Sequence, residues 1–264
     1  MGWASVINDI KNVKIQGATN IAIQGLELLV SYPAEFVKIK SALLKARPTE
    51  PMLRNLIKEA EANQDDLAAW WTVRKHVLLI ELDSVSSNAV KLVEGVVVTH
   101  CHSGSVTHSL IKAHKSGKDF RVFCSETRPL YQGRLTATEL VKAGVDTTLV
   151  VDSHIALFLK HCSAVFIGCD SFTKNGFLNK VGSLMICTLA RLYCKPVFVV
   201  THSLKFSDKL DSVEQRLGKE VWDSAPRKLK IDNPAFDFVP KNLVTKVITE
   251  NGSFSFDELL GWLR

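Results

Sequence analysis

Apolar residues recur every three or four positions through roughly the first ninety residues of the chain. This spacing predicts amphipathic helices, because such residues fall on one face of a helix. Proline interrupts the pattern in the stretches SYPAE (31–35) and ARPTEP (46–51), as expected where helices end and begin. The predicted helices are 6–13, 18–30, 33–45, 51–62 and 65–91.

The pattern changes after about residue 90, where short apolar and β-branched runs alternate with helical spacing. Continuous apolar strands separated by helices are typical of a parallel sheet covered on both faces. We therefore predict an α/β fold: a helical N-terminal domain (1–88) followed by a Rossmann-like, mainly parallel doubly wound sheet (89–264). A capping box is predicted to start one helix at 136–139 (TATE). The six predicted strands are 95–99, 120–125, 147–151, 164–168, 196–201 and 244–249.

Polar and reactive residues follow each of the first five predicted strands. In open parallel sheets, ligands bind at the carboxyl ends of the strands, near the point where the strand order reverses. Turn residues at helix starts are polar in any case, so a rim of this kind also arises by chance. The residues at this rim are His100, Cys101, His102, Glu126, Thr127, Arg128, Asp152, Ser153, His154, Cys169, Asp170, Ser171, Thr201, His202 and Ser203.

The first strand ends in a thiol flanked by two imidazoles, His100-Cys101-His102. Neighbouring residues of a strand point to opposite faces, which disfavours a zinc site made by all three. Cys101 is then either a small buried hydrophobe or a reactive thiol. The chain has no GxGxxG after this strand and no GxxxxGK[ST], so neither a dinucleotide cofactor nor a Walker-type site is predicted. We predict no metal and no cofactor.

Three further groups are candidates for binding or chemistry. Asp170 follows an apolar strand, where desolvation raises the pKa of a carboxyl group; the alternative is a helix cap or turn residue. Asn179 and Lys180 precede a predicted helix start, a plausible anion site. Gly17 falls in a helical pattern and could free backbone N–H groups for a phosphate. Arg47 could grip a phosphate, although an arginine at a helix end is common.

Bulk properties narrow the class of protein. The 264 residues include six cysteines without CxxC spacing, which favours free thiols and a cytoplasmic location,. The formal net charge is +6, but the basic residues are scattered, so nucleic-acid binding is not expected,. No apolar run approaches the ~20 residues that span a bilayer, and no membrane association is predicted.

Several motifs, taken together and in order, resemble the archaeal ribose-1,5-bisphosphate isomerases. That family belongs to a superfamily with methylthioribose-1-phosphate isomerase and the alpha, beta and delta regulatory subunits of initiation factor 2B. The resemblance is looser over the first ninety residues, where QGAT (16–19) and RPT (47–49) correspond. The motifs that carry it are THCHS (99–103), ETRP (126–129), QG-RLTA-EL (132–140), VVDS (150–153), G-DS-T-NG (168–176), NK-G (179–182), LKF (204–206) and NPAFD-P (233–240).

The resemblance implies that Cys101 and Asp170 are the catalytic acid and base, and we take Cys101 as base and Asp170 as proton donor. It also implies that Gly17, Ala18 and Arg47 hold one phosphate end. The family has arginine where this chain has Gln16, and methylthioribose-1-phosphate isomerases have proline where it has Thr19. The predicted substrate-binding residues are Gln16, Gly17, Ala18, Thr19, Arg47, Ser103, Asn179, Lys180 and Lys205.

The resulting prediction is an aldose–ketose isomerase that converts ribose 1,5-bisphosphate to ribulose 1,5-bisphosphate. One alternative is a methylthioribose-1-phosphate isomerase. The other is a non-catalytic, initiation factor 2B-like regulatory subunit that binds a nucleotide or a sugar phosphate. The resemblance further implies a homodimer or larger homo-oligomer formed through the C-terminal domain, whose apolar tail (254–264) could cover a partner or dock on its own sheet.

Overall fold

A computed structural model describes residues 2–12, 14–209 and 213–262. The N-terminal part is helical, as the apolar spacing predicts. Pro51 opens one of its helices, at a position where the missing backbone N–H costs nothing,. The buried side chains of these helices, among them Leu26, Ile39 and Leu53, form one hydrophobic core. The helices are α1 (Trp3–Lys11), α2 (Ala18–Ser31), α3 (Phe36–Ala46), α4 (Pro51–Glu61) and α5 (Leu67–Val90).

The C-terminal part contains a seven-stranded sheet in the order β10-β9-β7-β4-β1-β2-β3. All neighbours in it pair in parallel except β10, which runs antiparallel to β9 at one edge. The six predicted parallel strands are therefore present, with β10 in addition. The strands of this sheet are β1 (Gly95–Thr99), β2 (Phe120–Ser125), β3 (Asp146–Val150), β4 (Ala164–Ile167), β7 (Val197–Val200), β9 (Lys246–Thr249) and β10 (Gly252–Phe254).

Helices cover both faces of this sheet. Along β4, Val165 and Ile167 join one hydrophobic cluster, whereas Ala164 and Phe166 join another. Alternate residues of a strand point to opposite faces, so the two clusters are the two sides of a doubly wound fold. The first contains residues of α8 (Ile155–Leu159), α9 (Ser183–Leu192) and α10 (Phe256–Trp262), and the second contains residues of α5, α6 (Gly104–Lys115) and α7 (Gln132–Lys142).

A second, three-stranded antiparallel sheet was not expected from the sequence. It pairs β5 (Ser171–Thr173) with β6 (Gly176–Lys180), and β6 with β8 (Phe236–Pro240). A turn at Lys174 and Asn175 connects β5 to β6. This small sheet follows directly after β4, and it carries Asn179 and Lys180 on its central strand.

The predicted capping box at Thr136 is wrong. Helix α7 begins four residues earlier, at Gln132, after Tyr131 in a left-handed conformation (φ 59°). The Tyr131 N–H donates to the Thr127 carbonyl oxygen, so the turn before the helix already leads into it. Thr136 therefore lies inside the helix, where its hydroxyl donates a hydrogen bond to the Cys101 carbonyl oxygen.

The C-terminal tail docks on its own domain. Phe256 and Leu259 of α10 are buried in the hydrophobic cluster on one face of the main sheet. The sequence left open whether the tail covers a partner or its own sheet, and Phe256 and Leu259 lie against their own sheet. Residues 263 and 264 lie outside the described part of the chain.

Helix α5 contributes to both hydrophobic cores. Its early residues Trp71 and Leu78 belong to the N-terminal core, and its late residues Val85 and Ala89 pack in the core of the sheet. The helix therefore runs without interruption across the predicted boundary at residue 88, which stays a prediction. Within the described residues, no helix is long and apolar enough to cross a membrane.

Gly133 allows α7 to pack closely against the end of β2, and a side chain there should be strongly destabilising. A Cβ atom at this position would lie 1.7 Å from the Ser125 carbonyl oxygen. Because that obstacle is backbone, Gly133→Ala should lower the free energy of unfolding by about 3 kcal/mol or more, measured by denaturant titration. Gly104→Ala is the control, because its Cβ would meet no described atom within 4 Å. An equally small effect of both changes would contradict the expectation.

Candidate active site

Cys101 and Asp170 follow two strands that lie side by side. Cys101 comes two residues after β1, and Asp170 comes three residues after β4. β1 and β4 are paired, and the chain reverses its direction of strand addition between them. Ligands of open α/β sheets bind at such a reversal. The fold therefore places both residues at the position in the sheet where a ligand is expected.

The Cys101 backbone is held in a left-handed conformation with φ 66°, which is costly for a residue with a side chain. Its N–H donates to Thr127 Oγ1 at 2.9 Å, and its carbonyl oxygen accepts from Thr136 Oγ1, also at 2.9 Å. Two threonines from neighbouring segments thus hold the turn that presents the thiol. Thr136 thus stabilises the Cys101 turn from inside α7 instead of capping a helix.

Burial raises the pKa of the Cys101 thiol to about 12, and the nearby Asp170 carboxylate adds to the effect. The Lys180 ammonium acts in the opposite direction without overcoming them. At neutral pH the group is therefore a thiol that can give up a proton rather than a thiolate.

Asp170 is surrounded by cationic side chains. Burial raises the pKa of its carboxyl group, whereas Lys205, Arg47 and Lys180 act to lower it. The Asn179 amide also lies against it: with its nitrogen turned towards the carboxylate, Nδ2 is 3.3 Å from Asp170 Oδ2. A desolvated carboxylate with such neighbours can hold or release a proton without leaving its place.

Lys180 and Lys205 are both buried. The Lys205 ammonium donates to the Cys169 carbonyl oxygen at 2.7 Å, and the 3-10 turn that carries it, Ser203–Lys205, is held by the N-terminal domain. There, Asn55 of α4 donates to the Leu204 and Phe206 carbonyl oxygens. Buried ammonium groups are rare unless anions face them, so the pair suits a site for an anionic ligand.

Arg47 lies at the same site but is engaged by two carboxylates. Its Nη2 is 2.9 Å from Glu50 Oε1, and its Nη1 is 3.5 Å from Glu214 Oε2. The Arg47 charge reaches Asp170, because it acts on the pKa of that carboxyl. Sequence reasoning missed Glu50 and Glu214. Glu50 lies in ARPTEP (46–51), three residues after Arg47, which is the spacing of a local ion pair. Nothing in the sequence near Glu214 indicates that it pairs with Arg47.

Ser103 caps α6, and its Oγ accepts from the Val106 N–H. It lies close to the end of β4, because a Cβ on Gly168 would be 2.6 Å from Ser103 Cβ. Glycine at 168 thus lets the two strand ends approach one another. Ser103 is thereby placed near Asn179, whose side-chain amide would lie 3.6 Å from that same Cβ on residue 168.

The segment 16–19 lies at the start of α2. Gly17 precedes the first helical residue, with φ 84°, and so it is not inside a helix as its apolar surroundings suggested. Ala18 is buried and Thr19 is half-buried. The Gln16 carbonyl oxygen accepts from the Asn20 side chain at 3.4 Å. The role of these residues towards a ligand stays a prediction.

The start of α9, which the sequence offered as part of an anion site, already holds a carboxylate of the chain, and anion binding by Asn179 and Lys180 stays a prediction. The N–H groups of Gly182 and Leu184 both donate to Asp237 Oδ2, at 2.8 and 3.1 Å. A carboxylate of the chain itself therefore occupies the positive end of this helix. Asn179 remains at the site through its contact with Asp170, and Lys180 through its charge, which acts on Cys101 and Asp170.

The two histidines beside Cys101 form hydrogen bonds within the protein. His100 is buried between Ser125 Oγ and the Val181 carbonyl oxygen, and His102 lies 3.0 Å from Thr136 Oγ1. Burial lowers the pKa of both imidazoles. In the described parts of the chain, no cluster of three or more His, Cys, Asp or Glu side chains could hold a metal ion.

Fold and site together define an α/β protein with a helical N-terminal region, in which a thiol and a carboxyl group follow the two strands at the strand reversal and cationic side chains act on the carboxyl. The chain belongs to the Initiation factor 2 subunit family, whose sequence pattern matches residues 14–255. The predicted superfamily is thereby confirmed.

The similar proteins include enzymes. Ribose 1,5-bisphosphate isomerase of Methanocaldococcus jannaschii is 30% identical over 97% of this chain and 94% of its own length. Methylthioribose-1-phosphate isomerase of Dehalococcoides mccartyi is also 30% identical, over 95% of this chain and 89% of its own length. The predicted class, an enzyme of the aldose–ketose isomerase kind, is confirmed.

A solved structure shares the fold. The translation initiation factor eIF-2B of Pyrococcus horikoshii superimposes with a TM-score of 0.86, covering 96% of both chains at 24% identity. The predicted fold class, a helical N-terminal region followed by a largely parallel sheet, is confirmed.

Proposed function

We propose that this protein isomerises ribose 1,5-bisphosphate to ribulose 1,5-bisphosphate, with Cys101 and Asp170 as the acid/base pair. The observation that carries the proposal is the pair itself, placed on neighbouring strand ends and enclosed by Lys180, Lys205 and Arg47. A non-catalytic regulatory subunit would need neither a protonated thiol nor a desolvated carboxylate beside a cationic pocket. The relatives named above as isomerases give further support.

Ring opening is the first chemical requirement. The anomeric oxygen of the substrate carries a phosphate, so the ring does not open spontaneously as that of a free sugar does. In the proposed mechanism the Cys101 thiol donates its proton to the ring oxygen while the bond from that oxygen to C1 breaks. The pKa of about 12 keeps the proton on the sulfur until the reaction needs it,.

Proton transfer between carbons is the second requirement. The Asp170 carboxylate removes the C2 proton, giving an enol phosphate between C1 and C2. Asp170 then returns a proton to C1, while the Cys101 thiolate takes the proton of the 2-hydroxyl, and C2 becomes the ketone. Both residues end as they began. These roles are the reverse of those taken from the sequence, because a thiol with a raised pKa suits a donor better than a base.

The remaining predicted residues bind the substrate in this proposal. Lys180, Lys205 and Asn179 surround Asp170, and Ser103 lies at the adjoining strand end, where they would hold the reacting part of the sugar phosphate. Arg47 and the segment 16–19 would hold the other end. Gln16 provides an amide where related isomerases carry a guanidinium charge, and so it is expected to weaken binding of a phosphate there.

The decisive experiment offers the purified protein each candidate substrate in turn. Ribose 1,5-bisphosphate should give a ketone carbonyl signal in carbon-13 NMR, and methylthioribose 1-phosphate should react more slowly. Preferential reaction of methylthioribose 1-phosphate would transfer the assignment to that substrate. No reaction with either sugar phosphate would overturn the isomerase proposal and favour the regulatory role.

The pH dependence of the reaction tests the protonation states proposed for the pair, a Cys101 thiol and an Asp170 carboxylate. If Cys101 reacts as the thiol, it stays protonated well below its pKa of about 12, and kcat/KM should be flat between about pH 7.5 and 9.5. If the reaction required the Cys101 thiolate together with the Asp170 carboxylate, kcat/KM should instead rise about tenfold per pH unit over this range. Initial rates in buffers of constant ionic strength make the comparison.

The proposal includes a homodimer formed through the C-terminal domain. β3 is an edge strand of the main sheet, and exposed apolar side chains surround it. Such groups are typical of an interface. Light scattering at micromolar concentration should give a mass about twice that of the chain, and a monomer would contradict the proposal. The exposed residues are Leu130, Leu135, Leu149, Val151 and Leu157.

The cellular setting follows from the cysteines. All six thiols are free, and four of them are buried. Free thiols in this number suit a reducing compartment, and we place the protein in the cytoplasm with a phosphorylated sugar as its ligand.

A further inference from the structure

Glu50 is a buried carboxylate with one oxygen that lacks a partner. The residue is 3% exposed, and its Oε1 accepts from Arg47 Nη2 at 2.9 Å. Its Oε2 has no hydrogen-bond partner in the part of the chain that the structure describes. Buried polar atoms are nearly always paired, because an unpaired one has lost its water without replacement. This oxygen therefore retains an unused capacity to accept a hydrogen bond.

Two neighbouring atoms of the same loop share this property. Arg47 Nε and Thr49 Oγ1 are also buried without a partner among the described residues. The loop 47–50 thus presents one donor, one hydroxyl and one acceptor within four residues. A group that both donates and accepts hydrogen bonds would satisfy all three types of atom.

The loop lies beside the acid/base pair. Helix α4 follows the loop directly, and its Asn55 donates to the carbonyl oxygens on either side of Lys205, whose ammonium donates to the Cys169 carbonyl oxygen next to Asp170. The charges of Asp170 and Lys205 accordingly act on the Glu50 carboxyl. Burial and the Asp170 charge raise the pKa of Glu50 to about 6. At neutral pH and above the group is thus ionised and accepts hydrogen bonds only.

A phosphate group does not suit the Glu50 oxygen. A phosphate dianion has no proton to donate, and a second negative charge beside a buried carboxylate is repelled. Two of the three Arg47 nitrogens are already directed at Glu50 and Glu214. A sugar hydroxyl fits instead, because it can donate to Glu50 Oε2 and accept from Arg47 Nε.

We infer that Glu50 is a substrate-binding residue that accepts a hydrogen bond from a hydroxyl group of the sugar, with Thr49 and Arg47 Nε completing the contact. The inference rests on the proposed function, since it requires a sugar phosphate at this site. In this arrangement loop 47–50 recognises hydroxyl groups of the sugar, and the phosphates are bound by segment 16–19 and by the buried Lys180 and Lys205.

Two unreactive bisphosphates provide the test. Ribitol 1,5-bisphosphate has the hydroxyl groups of the sugar, whereas 1,5-pentanediol bisphosphate has both phosphates and no hydroxyl. Their dissociation constants are measured by isothermal titration at about pH 7.5 for the wild type and Glu50→Gln. The variant should bind ribitol 1,5-bisphosphate about tenfold more weakly. It should bind pentanediol bisphosphate more tightly, because a negative charge near the phosphates is gone.

Two further variants separate charge from hydrogen bonding. Glu214→Gln removes the other carboxylate beside Arg47, and it should tighten both bisphosphates alike. Thr49→Val removes a hydroxyl without changing charge, and it should weaken ribitol 1,5-bisphosphate only. Circular dichroism and the melting temperature establish that each variant is folded.

The outcomes distinguish this inference from the proposed function. Equal weakening of both compounds by Glu50→Gln would mean that Glu50 only supports the loop, and no change in either would mean that it makes no contact; each overturns the inference alone. If the wild type binds neither compound and turns over no sugar phosphate, the proposed function fails together with the inference.

Discussion

Cys101→Ser is expected to lower kcat for the isomerisation by about 10³-fold. A serine hydroxyl is a weaker acid than the thiol it replaces, so donation to the ring oxygen becomes the slow step. The change is close to isosteric, and the threonines that hold the turn bind backbone atoms of Cys101 rather than its sulfur. Binding of ribitol 1,5-bisphosphate and the melting temperature should therefore stay near the wild-type values.

A second cysteine provides the control for this experiment. Cys194 is exposed and follows the end of α9, so Cys194→Ser should leave kcat and KM unchanged. Full activity of Cys101→Ser would show that its thiol is structural and would overturn its proposed role as proton donor. A loss of activity in both variants would point instead to damage unrelated to the proposed proton transfer.

Asp170→Asn is expected to reduce kcat at least as strongly, by about 10³- to 10⁴-fold. An amide cannot take up the C2 proton, although it fills nearly the same space. The binding of bisphosphates should tighten slightly, because Lys205, Arg47 and Lys180 lose a competing anion. Single-turnover measurements with saturating enzyme separate the loss of chemistry from any change in binding.

The double variant tests whether the two residues work as a unit. If the reaction needs both proton transfers, Cys101→Ser added to Asp170→Asn should cost little more, since residues that act together are not additive. If the fold-losses in kcat of the two single variants multiply in the double variant, the residues act independently, which would contradict a joint mechanism. Asp223→Asn, at an exposed position far along the chain, is the control for replacing a carboxylate.

Much of the main sheet could be predicted because its strands are buried on both faces. β4 and β7 consist of buried residues throughout, so each appears in the sequence as an unbroken apolar run. The carboxyl ends of these strands follow from the same runs. For this reason the order of residues alone is enough to place Cys101 and Asp170 at one rim of the sheet.

The second sheet could not be predicted in the same way. β6 pairs with β8, which lies more than fifty residues further along the chain, and β5 has three residues. Local periodicity has no information on such distant pairing. The capping box failed for a related reason: Thr136 has the sequence context of a helix start, but its hydroxyl is used by the Cys101 turn from another segment.

The carboxylates around Arg47 illustrate the same limit within the site. Glu50 precedes α4, where an acidic residue is usual on account of the helix dipole, so its burial was not evident. Glu214 approaches Arg47 from a segment 167 positions later. The sequence predicts which residues stand at strand ends, whereas this charge pairing depends on how segments far apart in the chain come together.

The uninterrupted course of α5 has a mechanical consequence. Its two halves are anchored in different cores, and a continuous helix without proline or glycine between Leu67 and Val90 has no natural place to bend,. A rotation of the helical N-terminal part away from the main sheet would require α5 to break or one of its ends to leave its hydrophobic core. Substrate exchange should then depend on local displacement of surface segments, such as the one carrying Glu214, while the two cores keep their relative orientation through every catalytic cycle.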